Sequence, residues 1–245
     1  MTQHQRIPAI DPAKLDRLAE VAVKVGLRLE PGQDLFLTAP VGALPLVRRI
    51  AEHAYRAGAG IVTPLLADEE VTVARYRNAS DQSFDRAPAW LYEGVAKAFS
   101  ANTARLAIVG DNPMLLANED PAKVARASKA NSVAYQPALE KIAGFDINWN
   151  IIAFPGLSWA KLVFPDETDD AAVTKLADAI FAASRVDQAD PIAAWAAHNK
   201  ALRSRSAWLN EQRFEALHFT GPGTDLTIGL SDGHEWQGGE SRAKN

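Results

Sequence analysis

The stretch "DLFLTAPVGALPLVRRIAEHAYRAGAGIVTPLL", residues 34–66, decides the fold. Its opening, "DLFLTAP", is a short apolar run bounded by Asp34 and Pro40, which reads as a buried strand. "VGALPLVRRIAEHAYRAG" then reads as a helix, and Gly58 stands where a helix is closed. "GIVTPLL" returns to a short apolar run, a second strand. Two strands joined through a helix can lie side by side in parallel, whereas a tight turn would force them antiparallel. The reading is therefore a unit of a parallel sheet covered by helices.

The pattern extends in both directions. Upstream, "DPAKLDRLAEVAVKVGL" (residues 11–27) sets Leu15, Leu18, Ala22 and Val25 on one helical stripe, with Asp11 as N-cap, Pro12 at the first helical position and Gly26 near the end. Downstream come a helix in "ADEEVTVARYRNA", a helix in "PAWLYEGVAKAFSAN" and a strand in "ARLAIVGD". "DPAKVARASKANSVA" is a helix capped by Asp120, "PALEKIAG" a further helix, and "NWNIIAFP" a strand. After Pro165, "DETDDAAVTKLADAIFAASRV" and "DPIAAWAAHNKALRSRSAWLNEQ" predict two long helices with acidic starts. "RFEALHFTGPGTDLTIGL" predicts a β-hairpin. The expected fold class is α/β: an open, mostly parallel sheet with helices on both faces, plus a carboxyl-terminal β edge or hairpin. The expected division is an α/β domain over residues 1–214 and a β segment over 215–245.

Composition narrows the function. The 245 residues carry a formal net charge of −4, with 47% hydrophobic and 23% charged residues spread along the chain. A chain of that kind buries a proper core and has no basic excess for a phosphate backbone, so nucleic acid is not an expected partner. There is no cysteine, which removes disulfides, thiolate metal sites and cysteine nucleophiles. No apolar run is long enough to span a bilayer and no signal-peptide pattern opens the chain, so the expected setting is cytoplasmic, away from membranes.

Each group that could carry chemistry has a structural reading beside it. The strand ends "TAPVG" (38–42), "PLLADEE" (64–70) and "VGDNP" (109–113) lie where parallel sheets bind ligands, but none matches a dinucleotide or P-loop pattern. Asp111 and Asn112 read first as turn residues. Asp68, Glu69 and Glu70, and likewise Asp166, Glu167, Asp169 and Asp170, fall at predicted helix starts, where carboxylates favour the positive end of the dipole. His4 lies in a tail, and His53 and His198 have no second histidine four residues away as a helical zinc site requires. His218, His234 and Glu235 could meet across the hairpin, yet their spacing forms no known ligand motif. Trp159, Trp195, Trp208 and Trp236 read as packing surfaces. From the residues alone the reading stops at an α/β protein without assigned chemistry.

Three strings carry more. "FPGLSWAKLVFPD" (154–166), "WAAHNKALRSRSAWLNE" (195–211) and "LHFTGPGTDLTIGLSDGHEWQGG" (217–239) together resemble the amino-terminal part of the aminopeptidase T / aminopeptidase S family of metallo-aminopeptidases. The resemblance runs in order along nearly all of the chain, and the G-T-D-L-x-I-x-L…W-x-G-G block is its most distinctive part. It implies a hydrolase that removes amino-terminal residues from peptides with two divalent metal ions, such as cobalt or zinc, and works as a homodimer around an enclosed chamber. Such ions would hold a water or hydroxide, lower its pKa and polarise the scissile carbonyl. In the family the ligands belong to a carboxyl-terminal catalytic domain, the first of them in a Pro-Thr-Glu-Glu segment soon after the W-x-G-G block.

Here "WQGGESRAKN" closes the chain, and that segment is absent from it. The expectation is accordingly a chain truncated before the ligand domain, binding no metal and inactive by itself, with no catalytic or metal residue assigned. Trp159, Thr224, Asp225, His234 and Trp236 are the expected chamber or domain-interface residues, facing the protein's own catalytic domain. The alternative expectation is a non-enzymatic α/β module that binds a small ligand at the strand-end loops or dimerises through its Trp-bearing surfaces.

Overall fold

The computed structural model describes residues 10–245, so His4 lies outside the described residues. Contacts divide the chain into two compact units: one runs up to Pro191 and includes Arg242–Asn245, and the other is Ile192–Ser241.

The first unit begins with α1 (Pro12–Val21), whose N-cap Asp11 accepts the Ala13 amide at 2.8 Å. The helix widens into a π-helical turn over Ala22–Leu27 and closes on Arg28 at φ 51°. That wider turn shifts the phase of the stripe. Leu15, Leu18 and Ala22 are buried as the spacing predicts, but Val23 and Leu27 take the inward place expected of Val25.

Next come β1 (Leu35–Pro40), α2 (Leu44–Arg56) and β2 (Val62–Ala67), the three elements read from residues 34–66. They are followed by α3 (Glu69–Asn78), α4 (Ala89–Ser100), β3 (Ala104–Val109), α5 (Pro121–Ala143), β4 (Trp149–Ala153), α6 (Leu157–Val163) and α7 (Asp169–Ala183). The four strands are all parallel, in the order β2-β1-β3-β4. Leu35 of β1 faces Val62 on one side and Ala104 on the other.

This order reverses the direction of winding after β2. Because crossovers between parallel strands are right-handed, the helices on the two sides of that reversal cover opposite faces. The core follows: α1 packs with α2, and α4 packs with α5. Successive residues of β1 point to opposite faces. Leu35, Leu37 and Ala39 are buried on one of them, while Phe36 turns the other way and meets Phe99 of α4 edge-on at 6.2 Å. Around Phe99 stand Val95, Ala138, Ile142 and Ile147.

Two details depart from the sequence reading. The helices expected in "DPAKVARASKANSVA" and "PALEKIAG" form one helix, α5, which runs straight through Pro137. Proline lacks the N–H that would bond the carbonyl four residues back. That carbonyl belongs to Val133, a residue 64% exposed to solvent rather than sealed in the core. Helix α6 was not anticipated: its seven residues, flanked by Pro155 and Pro165, are too few to show a period.

The second unit holds most of α8 (Pro191–Gln212) and an antiparallel pair, β5 (Ala216–Gly221) and β6 (Thr224–Gly229). The turn consists of Pro222 and Gly223, the latter at φ 75°, and Thr224 and Asp225 already belong to β6. By contacts α8 groups with the hairpin, whereas the sequence reading drew its line after residue 214.

Candidate functional site

In the first unit the strand order turns back between β1 and β3, the place where open parallel sheets hold ligands beyond their carboxyl ends. The polar groups there are largely engaged in local hydrogen bonds. Asp68 caps α3 by accepting the Val71 amide at 3.0 Å, and its carbonyl accepts the Thr72 hydroxyl at 3.0 Å. The Glu69 carboxylate accepts the Asn112 amide at 2.6 Å, tying the loop after β2 to the loop after β3. The Asn112 side chain in turn accepts the Met114 amide at 2.9 Å, the turn chemistry expected of it. Asp111 and Glu70 are exposed.

The second acidic run is used in the same way. Thr168, rather than an aspartate, caps α7 by accepting the Ala171 amide, and Asp169 and Asp170 sit in the first turn beside the positive end of the dipole. Glu167 pairs with Lys175. Trp159 lies half-buried in α6.

The histidines are scattered. His53 of α2 is held 3.1 Å from Asp16, and His198 of α8 meets Trp195 edge-on at 5.7 Å. His218 reaches across the hairpin to Asp225 at 2.6 Å, and the exposed Thr224 pairs with Gly221 beside the turn. Nδ1 of His234 lies 2.9 Å from the Ser231 carbonyl, so that nitrogen carries the proton. Glu235 is exposed. Among the described residues no group of three His, Asp or Glu side chains could hold a metal ion. The described residues therefore do not fit a dinuclear metal centre, and the convergence of His218, His234 and Glu235 does not arise.

The most organised feature of the second unit is the strap that follows the hairpin. It runs back along α8, clamped by a polar stripe on that helix. Asn210 holds Trp236 at both ends of its backbone: the side-chain amide donates to the Trp236 carbonyl at 2.9 Å, and its oxygen accepts the Trp236 amide at 2.7 Å. Glu240 accepts from Asn199 at 3.0 Å and from Arg203 at 2.8 Å. Between these clamps the strap lies close on the helix. A Cβ at Gly238 would stand 2.6 Å from Ser206 Oγ, and Gly239 adopts φ 87° over Asn199 and Leu202. The W-x-G-G block thus has a local cause: two residues without side chains let an extended segment lie on a helix.

Of the expected interface residues, the structure brings His234 and Trp236 together, with rings perpendicular at 6.0 Å. Nε1 of Trp236 is buried and has no acceptor. Sequence reasoning missed Asn199, Arg203 and Asn210. Their spacing held the signal, because residues 199, 203, 206 and 210 recur on one face of a helix.

Comparison with known proteins adds to this geometry. Residues 11–245 match the thermophilic metalloprotease (M29) family. The chain is 52% identical over 230 residues to "Aminopeptidase T" of Thermus thermophilus, covering 94% of this chain and 56% of that protein. It is 38% identical over 232 residues to "Aminopeptidase 2" of Geobacillus stearothermophilus, again covering 56% of the relative. A solved structure of wild-type AmpT from Thermus thermophilus superimposes with a TM-score of 0.88 at 50% identity, over 94% of this chain and 57% of that one. The chain spans little more than half the length of these relatives.

Proposed function

Because the chain belongs to the thermophilic metalloprotease (M29) family, we propose that it is the amino-terminal part of a dinuclear-metal aminopeptidase that hydrolyses amino-terminal residues from peptides. What carries the reading is the 52% identity to an aminopeptidase along 94% of the chain, set beside a relative that is much longer. In this reading the two metal ions, cobalt or zinc, are held by a carboxyl-terminal domain, and they supply a water activated at neutral pH. Residues 1–245 supply the scaffold on which that domain sits, bind no metal and turn over no substrate alone. The working protein is a homodimer.

The small-ligand alternative draws no comparable support, because at the strand ends Asp68 caps α3, Glu69 holds the Asn112 amide and the Asn112 side chain closes its own turn.

Elemental analysis after dialysis against Co²⁺ or Zn²⁺ tests the assignment. A chimera that continues residues 1–245 with the part of the Thermus thermophilus aminopeptidase T that follows the matched region is expected to retain a pair of ions per chain. Residues 1–245 alone are expected to retain none. Tight, stoichiometric metal on the 245-residue chain would refute the division.

A further inference from the structure

The hairpin of the second unit is built like a piece of a larger sheet. Its register pairs Leu217 with Ile228 and Phe219 with Leu226, so these four side chains share one face. His218, Thr220, Asp225 and Thr227 share the other. On the apolar face Phe219, Leu226 and Ile228 are 47%, 49% and 46% exposed. Among the described residues neither β5 nor β6 pairs with a further strand. An isolated two-stranded hairpin is marginal in water, and open apolar strands recruit further pairing. Close by in sequence, Trp236 keeps a buried indole N–H without an acceptor.

Two occupants compete for this face. A second copy of the chain would have to bind through what the face offers, three side chains about half exposed and a more covered Leu217. That amounts to a few hundred Å², well short of the ~800 Å² per partner of a stable interface. A segment of the same polypeptide needs far less area, because its linkage makes docking intramolecular. The relatives carry such polypeptide: the matched region, hairpin included, is 56% of their length.

We propose that the β5–β6 hairpin is the nucleus of a second sheet, which the carboxyl-terminal portion of the protein completes by adding a strand to its edge and laying apolar side chains over Leu217, Phe219, Leu226 and Ile228. This rests on the reading of the chain as part of a longer aminopeptidase.

Amide hydrogen exchange tests it, comparing residues 1–245 with the chimera described above. In the chimera the amides of β5 and β6 are expected to exchange roughly 100-fold more slowly than in the shorter chain. Placing Phe219→Asp with Leu226→Asp in the chimera removes that protection. Val71→Asp, at an exposed apolar position of the first unit, leaves it intact. Unchanged β1 and α7 amides in every variant show that the first unit is folded. Equal exchange of the hairpin in the two chains overturns the proposal. So does protection in the shorter chain that grows with concentration, which assigns the face to a second copy. Hairpin protection without release of leucine from Leu-p-nitroanilide upholds the docking surface and refutes the aminopeptidase reading, and release without protection does the reverse.

Discussion

Phe84 is fully buried beside Tyr76, whose ring centre lies 5.2 Å away, and the cations of Arg75 and Lys123 sit 5.5 and 5.4 Å from its own centre. Phe84→Ala leaves a cavity there and is expected to cost about 3–5 kcal/mol, read as a lower urea midpoint with an unchanged slope. Nearby, Arg126 contacts Asp81 at 3.0 Å and Asp85 at 2.5 Å. The hydrogen bond from Arg126 holds the Asp85 carboxyl below the ordinary carboxylate range. Lys244 and Lys141 do the same for Asp146. A carboxyl whose pKa is lower in the folded state stabilises fully above its unfolded pKa, and that contribution is lost as pH falls through the folded value. Melting temperature is therefore expected to fall with pH below about 4. Arg126→Ala should lower it at pH 7 and make the acid limb shallower, since the Asp85 pair is gone and only the Asp146 pairs remain to be lost. Asn210 acts on backbone instead: Asn210→Ala unpairs both the amide and the carbonyl of Trp236. A cost of about 1–3 kcal/mol is expected, visible as faster exchange of the Trp236 amide.

Among the elements, α5 carries a conflict that can be measured. Pro137→Ala restores a donor for the Val133 carbonyl in a helix that is already formed. The gain in helix energy exceeds the loss of unfolded-state rigidity, so a net stabilisation of about 1–2 kcal/mol is expected in the urea midpoint. The same proline shows where sequence reading fails, because local preference marked a break that packing overrides: Ala138 and Ile142, just beyond it, are buried in the core around Phe99. The elements β1, α2 and β2 were legible because two short apolar runs with clear bounds flank a helical stretch closed by Gly58. Strand order was not, since nothing local in "ARLAIVGD" says that β3 lies beside β1 rather than β2. The acidic runs were rightly read as helix starts in general, but the cap of α7 is Thr168. For the strap, a polar stripe at helical spacing was present in α8, but its partners, Trp236 and Glu240, lie 26 and 41 residues from the clamping residues. The resemblance to the aminopeptidases was legible in the W-x-G-G block before the structure supplied its physical cause.

At the scale of the whole molecule, the chain holds a four-stranded parallel sheet in its first unit and, in its second, a hairpin that is open on its apolar face. No helix among the described residues is long and apolar enough to cross a membrane. The family match extends to residue 245, while the chain spans 56% of the length of Thermus thermophilus aminopeptidase T. In the proposed function, catalysis needs the rest of that length. Release of p-nitroaniline from Leu-p-nitroanilide, followed with added Co²⁺ or Zn²⁺, tests it most directly. No turnover is expected from residues 1–245, and metal-dependent turnover, abolished by a chelator, is expected from the chimera; robust metal-dependent release by the 245-residue chain alone would refute the proposed function.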